Sequence, residues 1–88
     1  MRIYISSPHG KIAECTASKV SFASLNGAME IMDNHENFIA PLVNTNLTVA
    51  RTDTSDVIAF DVTSGAIKMD NGECLILLEL YKTSDSNY

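Results

Sequence analysis

Residues Gly27 to Leu42 read Gly-Ala-Met-Glu-Ile-Met-Asp-Asn-His-Glu-Asn-Phe-Ile-Ala-Pro-Leu, and they interrupt a chain of otherwise regular pattern. On both sides of this stretch, short alternating segments are separated by turn residues. The stretch begins at a turn glycine, runs through the polar residues 33–37, and ends in an apolar segment that Pro41 stops. An irregular segment with polar tips and apolar anchors, held in a regular scaffold, is where function commonly resides.

Alternation of apolar and polar residues predicts strands in the rest of the chain. Ile3 and Ile5 share one face of the first segment, and Phe60 and Val62 share one face of a later segment, which is the pattern of a half-buried strand. Turn signals recur about every 8–12 residues, and no segment keeps a helical period over about 11 residues. We therefore predict an all-β fold, a β-sandwich of about eight to ten short antiparallel strands with no long helix.

The apolar segment from Phe38 to Leu42 is predicted to be a helical turn or an irregular loop, because Pro41 is incompatible with a central strand and with a long helix. The remaining boundaries are simple. Residues 1–82 are predicted to form one β-sandwich domain, and residues 83–88 a flexible polar tail.

The last predicted strand, Cys74 to Tyr81, is apolar on both faces. One interpretation is a central strand that the protein covers on both sides. The other is that one face belongs to the core, while Leu75, Leu77 and Tyr81 form an apolar patch that another subunit covers. The sequence leaves both interpretations open.

Composition excludes several classes of function. The net charge is −5, and most of it falls in residues 51–88. A phosphate backbone would repel such a surface, so we expect no nucleic-acid binding. No apolar run is long enough to cross a membrane, and the first residues contain no apolar signal region, so we expect neither membrane insertion nor secretion. Cys15 and Cys74 are expected to be reduced, buried thiols.

The chemistry-bearing residues form no catalytic pattern. His9 and His35 are the only histidines, and neither lies in a nucleophile motif. Asp33, His35 and Glu36 suggest a metal site, but adjacent residues of an extended segment point to opposite faces, so we favour solvated loop side chains and expect no metal and no cofactor. For His35 itself, a local turn contact and a protein-contact tip remain equal alternatives.

Several motifs together resemble a known family. Ser-Pro-His-Gly at 7–10 is similar to the turn that follows the family's first strand. Residues 27–37 are similar to its Gly-Glu-Leu-Gly-Ile-Leu-Pro-Asn-His-Ala-Pro loop, and Ser64-Gly65 with Asn71-Gly72 to its last bend and hairpin. Over residues 2–80, the chain resembles the β-sandwich domain of the epsilon subunit of F-type ATP synthase, called delta in mitochondria. The family's C-terminal helical hairpin has no counterpart here, and we expect it to be absent.

The resemblance implies a non-catalytic subunit of the central stalk, which bridges the gamma subunit and the membrane rotor ring, or c-ring, during proton-driven ATP synthesis. The rotor-ring contact would fall on Gly27, Ala28, Met29 and Glu30. The gamma contact would fall on Ser7, His35, Ile39 and Ala40. The implied location is peripheral, on the cytoplasmic face of the bacterial inner membrane or in the equivalent organelle compartment.

Two alternatives from other classes remain. A free-standing β-sandwich could bind a carbohydrate or a peptide, but the chain contains no Trp, three Phe and three Tyr, and aromatic faces supply much of such a groove. A small enzyme would need His35 close to Cys15 or to a pair of acids.

Overall fold

The computed structural model describes residues 1–24, 27–33 and 36–83, and this part of the chain consists of strands joined by turns. The strands are β1 (Arg2–Ser7), β2 (Gly10–Ser24), β3 (Gly27–Met32), β4 (Phe38–Arg51), β5 (Val57–Asp70) and β6 (Glu73–Thr83). These residues contain no helix with the length and apolar character that crossing a membrane requires. The prediction of an all-β fold without a long helix is confirmed.

The six strands form a single sheet that closes on itself. Its order is β1-β6-β5-β4-β2-β3, and β1 also pairs with β2. β1 therefore joins the last strand to the second and completes a closed ring, while β3 extends the ring along β2. The β1–β6 pair is parallel and the other pairs are antiparallel. Closing the sheet leaves an enclosed interior, in which the core lies.

The described residues form six strands in place of the predicted eight to ten, because several expected breaks lie inside longer strands. β2 continues through an irregularity between Ala17 and Lys19. β5 continues through another on both sides of Ser64. A bulge inserts an extra residue and bends the strand without ending its pairing. Residues that read as turns in the sequence therefore serve as bends within continuous strands.

The segment from Phe38 to Leu42 is also a strand, so the prediction of a helical turn or loop was wrong. Pro41 lies within β4 and faces Ala66 of β5. On its other side, among the described residues, β4 pairs with β2 only from Thr48 onward. That edge is therefore unpaired at Pro41, where a missing N–H removes no ladder hydrogen bond.

Alternate side chains of the strands point into the closed sheet and form one core. Ile3, Ile5, Phe60 and Val62, which the sequence placed on inward faces, are all buried. The other buried apolar residues are Cys15, Ala17, Val20, Phe22, Ile31, Leu42, Leu47, Val49, Ile67, Met69, Cys74, Ile76 and Leu78. The interior is therefore apolar, and the opposite faces of the same strands are available for contact with other molecules.

Gly65 marks the closest approach between two strands. A Cβ atom added to this residue would lie 2.4 Å from the backbone carbonyl oxygen of Leu77 and 3.4 Å from a methyl group of Val62. Backbone at that distance cannot move aside as a flexible side chain can. The β5–β6 pairing at this level therefore requires glycine for lack of space.

The two cysteines flank one core residue. Ile3 pairs with Cys15 on β2 and with Cys74 on β6. Two strand spacings separate the cysteines, roughly 10 Å, which exceeds the reach of a disulfide. Both are buried free thiols. Burial raises the pKa of Cys15, and it raises the pKa of Cys74 to about 12.

Replacing Gly65 with alanine is expected to destabilise the domain by about 2–4 kcal/mol, since the new methyl group forces the β5 and β6 backbones apart. Urea unfolding monitored by circular dichroism measures the change. Ala66→Ser, at the next residue, is the control and is expected to change the free energy of unfolding by less than about 0.5 kcal/mol. A Gly65→Ala protein as stable as the wild type would contradict the close approach.

Cys74 is expected to resist alkylation in the folded protein. At pH 8 a thiol with a pKa of about 12 has roughly 1,000-fold less thiolate than one at the ordinary value of 9.0, and the thiolate is the reacting species. Raising the pH towards 12 is expected to increase the rate. Mass spectrometry after iodoacetamide treatment, with and without urea, measures the protection, and rapid native labelling at pH 8 would contradict it.

Candidate docking surfaces

The residues predicted to contact the rotor ring lie together on the edge strand β3. Gly27, Ala28 and Glu30 are exposed, whereas Met29 is partly buried and packs against the core. The strand pairs with Lys19–Ser24 of β2. The structure therefore presents three of the four predicted residues on the surface, and the fourth anchors them.

The Glu30 carboxylate carries the charge of this surface. Its oxygen lies 3.3 Å from the Lys19 ammonium, and both side chains are substantially exposed. An exposed pair of this kind contributes little stability, about 0–1 kcal/mol. Glu30 can therefore exchange its partner for a cation on another molecule at low cost.

β1 and β3 lie end to end along the same edge of β2. The backbone amide of Ala17 donates to the Met1 carbonyl oxygen, at 3.0 Å. The terminal ammonium of Met1 donates to the Ala17 carbonyl oxygen at 2.9 Å and to the Asp33 carboxylate at 2.7 Å. Asp33 directly follows β3, so these contacts fix the end of that strand beside the start of β1.

A second contact holds the chain just before β4. The side-chain oxygen of Asn37 accepts a hydrogen bond from the Asn71 backbone N–H, at 2.9 Å. Asn71 belongs to the predicted Asn-Gly hairpin turn. The φ angles of Asn71 and Gly72 are 51° and 82°, and positive φ at both central residues agrees with that prediction. The segment that precedes β4 is thus tied to the β5–β6 turn. His35, predicted to contact gamma, lies outside the described residues.

Of the other predicted gamma residues, Ser7 lies on β1, apart from Ile39 and Ala40 on β4. Ser7 ends β1, where its hydroxyl accepts from the His9 backbone N–H and donates to the Gly10 carbonyl oxygen, so it is engaged locally. Ile39, on β4, is 73% exposed. Ala40 is partly buried and packs against the core. Ile39 therefore presents the largest accessible apolar group of this set.

Ile39 belongs to a larger surface, which we call the outer apolar face. It is the outward side of β4, β5, β6 and β1, and it is built of cross-strand rows. In one row Ile39, Lys68, Leu75 and Tyr4 are successive partners; in the next the partners are Pro41, Ala66, Leu77 and Ser6. Val43, 60% exposed, continues the apolar side chains along β4.

A shallow groove of about 170 Å³ lies within this face, between β5, β6 and β1. Its lining residues are Tyr4, Ser6, Ala66, Lys68, Leu75, Ile76 and Leu77. The exposure of Leu75 and Leu77, 39% and 40%, supports the interpretation of the last strand as half core and half contact patch. Sequence reasoning missed the contributions of β1, β4 and β5 because they depend on strand register.

Tyr81 does not belong to the outer apolar face, although the sequence grouped it with Leu75 and Leu77. The irregular pairing around Ser64 changes the phase of β6 beyond Leu78. The Tyr81 ring packs edge-on against buried Phe60, with ring centroids 5.9 Å apart. Tyr81 therefore closes one end of the core.

Charged residues border the face on β1 and β2. Arg2 forms an ion pair with Glu14 and lies over the Tyr4 ring, 5.7 Å from its centroid. Lys11 lies 3.3 Å from the other Glu14 oxygen. The hydrogen bond from Lys11, with that from Arg2, lowers the pKa of the Glu14 carboxyl. These border charges are paired with one another, so they do not cover the rows of the outer apolar face.

Metal binding and nucleophilic catalysis would each require particular side chains in a suitable environment. Among residues 1–24, 27–33 and 36–83, no three His, Cys, Asp or Glu side chains come together as a possible metal site. The buried thiols have raised pKa values, which disfavours their nucleophilic form. The described surface instead presents exposed apolar side chains that another protein could contact.

Comparison with known proteins gives a consistent result. The family described as ATP synthase, Delta/Epsilon chain, beta-sandwich domain, matches residues 1–81. The ATP synthase epsilon chain of Clostridium novyi (strain NT) is 33% identical over 78 residues, which cover 89% of this chain and 59% of that protein. The chain thus spans about three fifths of the length of this curated relative.

Two solved structures share the fold. A chain of the Tetrahymena thermophila mitochondrial ATP synthase central stalk/c-ring superposes with a TM-score of 0.76 at 13% identity, covering 100% of this chain and 73% of that one. A chain of the Euglena gracilis mitochondrial ATP synthase OSCP/F1/c-ring assembly superposes with a TM-score of 0.76 at 13% identity. The match covers 92% of this chain and 51% of that one. With the family match over residues 1–81, the chain belongs to the ATP synthase delta/epsilon β-sandwich family.

Proposed function

We propose that this chain is the β-sandwich body of a central-stalk subunit in an F-type ATP synthase. It binds the gamma subunit and the c-ring and turns with them during proton-driven ATP synthesis. It performs no chemical step and needs no cofactor. Its place is peripheral, on the cytoplasmic face of the bacterial inner membrane or in the equivalent organelle compartment.

The observation that carries this proposal is the family match over residues 1–81, which includes β1 to β5 and all but the last two residues of β6. The names of the solved relatives supply the context, since they describe a central stalk with a c-ring and an F1/c-ring assembly. A subunit between two rotating partners needs a body that holds its shape. A closed sheet around a close-packed core provides one, because such interiors are poorly compressible.

The proposed contacts divide between two regions of the sheet. Gly27, Ala28, Met29 and Glu30 on β3 contact the c-ring, with the Glu30 carboxylate outermost. The gamma subunit covers Ile39, supported from below by Ala40, and reaches Ser7 and His35.

The alternative, a free-standing carbohydrate- or peptide-binding module, gains no support from the outer apolar face. Its groove measures about 170 Å³, whereas small-molecule sites usually measure about 300–1,000 Å³. Tyr4 is the one aromatic residue among its lining residues.

Substitution of Ile39 tests the gamma contact. Ile39→Asp is expected to weaken binding to the purified gamma subunit roughly tenfold or more, because it places a charge in an apolar contact. Isothermal titration calorimetry measures the affinity. Val57→Asp is the matched control, since Val57 is 67% exposed at the start of β5 and is expected to bind like the wild type. Failure of the wild-type chain to bind folded gamma would overturn the proposed function.

Charge reversal of Glu30 tests the c-ring contact. In a gamma complex added to detergent-solubilised c-rings, Glu30→Lys is expected to lower the affinity about tenfold, equivalent to about 1.4 kcal/mol, since one favourable charge contact becomes repulsive. Asp56→Lys, in the loop between β4 and β5, makes the same change of charge elsewhere. If both variants lost affinity equally, the effect would come from net charge alone, which would contradict the assignment of Glu30 to the c-ring contact.

A further inference from the structure

The outward row of β6 has a charge pattern of its own. Glu73, Leu75, Leu77 and Glu79 alternate with the buried residues of the same strand, so all four lie on the outer side of the sheet. Two leucines thus stand between two carboxylates. The two glutamates are six positions apart, a distance of roughly 20 Å along an extended strand.

Hydroxyl groups of neighbouring strands hold both carboxylates. The Tyr4 hydroxyl donates to Glu73 at 3.2 Å, and the Ser64 hydroxyl donates to Glu79 at 3.2 Å. In the described part of the chain, no Lys or Arg nitrogen lies within 4.0 Å of either carboxylate. The hydroxyls orient these groups but leave their charge unbalanced.

Two cations beside this row are already paired, and Lys82, three residues after Glu79 on β6, lies opposite Asp61 of β5. Lys68, the partner of Leu75 on β5, has its ammonium 3.7 Å from the Asp70 carboxylate. Arg2, the partner of Glu73 on β1, forms its ion pair with Glu14. Within the described part of the chain, no ion pair therefore balances the negative charge of Glu73 and Glu79 at the two ends of the leucine pair.

We propose that the β6 row binds a basic protein surface that presents an apolar centre between two Lys or Arg side chains about 20 Å apart. The apolar centre covers Leu75 and Leu77 and fills the groove beside Tyr4, and each cation meets one glutamate. This inference rests on the proposed function, which makes the gamma subunit the partner to test.

Charge decides between this partner and other occupants. A second copy of the chain, related by two-fold symmetry, would bring the same row against itself and set glutamate against glutamate. Each copy also carries a net charge of −5. An anionic lipid surface would repel the row for the same reason. A cationic polypeptide satisfies both the leucines and the carboxylates.

The test compares charge-neutral variants that preserve side-chain shape. Glu73→Gln/Glu79→Gln is expected to bind purified gamma about tenfold more weakly than the wild type at 50 mM salt, and its affinity is expected to vary less between 50 and 500 mM salt, because both proposed ion pairs are lost. Asp56→Asn/Asp61→Asn is the matched control. It has the same net charge as the glutamine pair, but its substitutions lie away from the leucine pair, so it is expected to retain the wild-type affinity and salt dependence.

A second variant tests the apolar half of the row. Leu75→Ser/Leu77→Ser is expected to lose about tenfold in affinity while its salt dependence stays that of the wild type. Thermal unfolding of every variant confirms that the comparison is made on folded protein.

The outcomes separate the inference from the proposed function. Weaker binding of the glutamine pair, with a flatter salt dependence, together with weaker binding of the serine pair and an unchanged Asp56/Asp61 control, supports the inference. Wild-type binding to gamma that is unchanged in the glutamine and serine pairs, or reduced equally in the Asp56/Asp61 control, overturns the inference and leaves the proposed function intact. Absence of wild-type binding to gamma overturns both.

Discussion

The double pairing of β1 is the constraint on which the rest of the structure depends. All six of its residues pair with β2 on one side, and the first five pair with β6 on the other, so the first strand closes the sheet that the last strand would otherwise leave open. Closure places Ile3 between the two buried thiols and gives the apolar faces of all these strands a common interior. A closed sheet also has fewer unpaired edges through which it could associate nonspecifically.

Closure also determines what lies outside. Because strand side chains alternate, each strand that contributes to the core has an opposite face. On β4 and β6 that face carries the exposed side chains of Ile39, Val43, Leu75 and Leu77, and on β3 it carries Glu30. A protein with this distribution presents two distinct exposed regions on one stiff body, which suits the proposed subunit between two partners better than it suits a small-molecule site.

The sequence predicted much of the fold and less of the surface. The shared face of Ile3 and Ile5 and the Asn71-Gly72 turn depend on the local sequence, so both could be recognised without a structure. The strand at Pro41 could not, because its tolerance depends on which edge β2 leaves unpaired. The outer apolar face likewise arises from register, which brings Ile39 and Leu75 onto one row across Lys68. His35 stays a prediction.

The central claim is that this chain is a rigid docking body whose outer apolar face is covered in its assembly. A cryo-EM structure of the chain bound to gamma and the c-ring tests it most directly. The account predicts Leu75, Leu77 and Ile39 within about 4.5 Å of partner side chains, with the closed sheet unchanged. An assembly in which this face remains open to solvent, or in which β1 separates from β6, would contradict it.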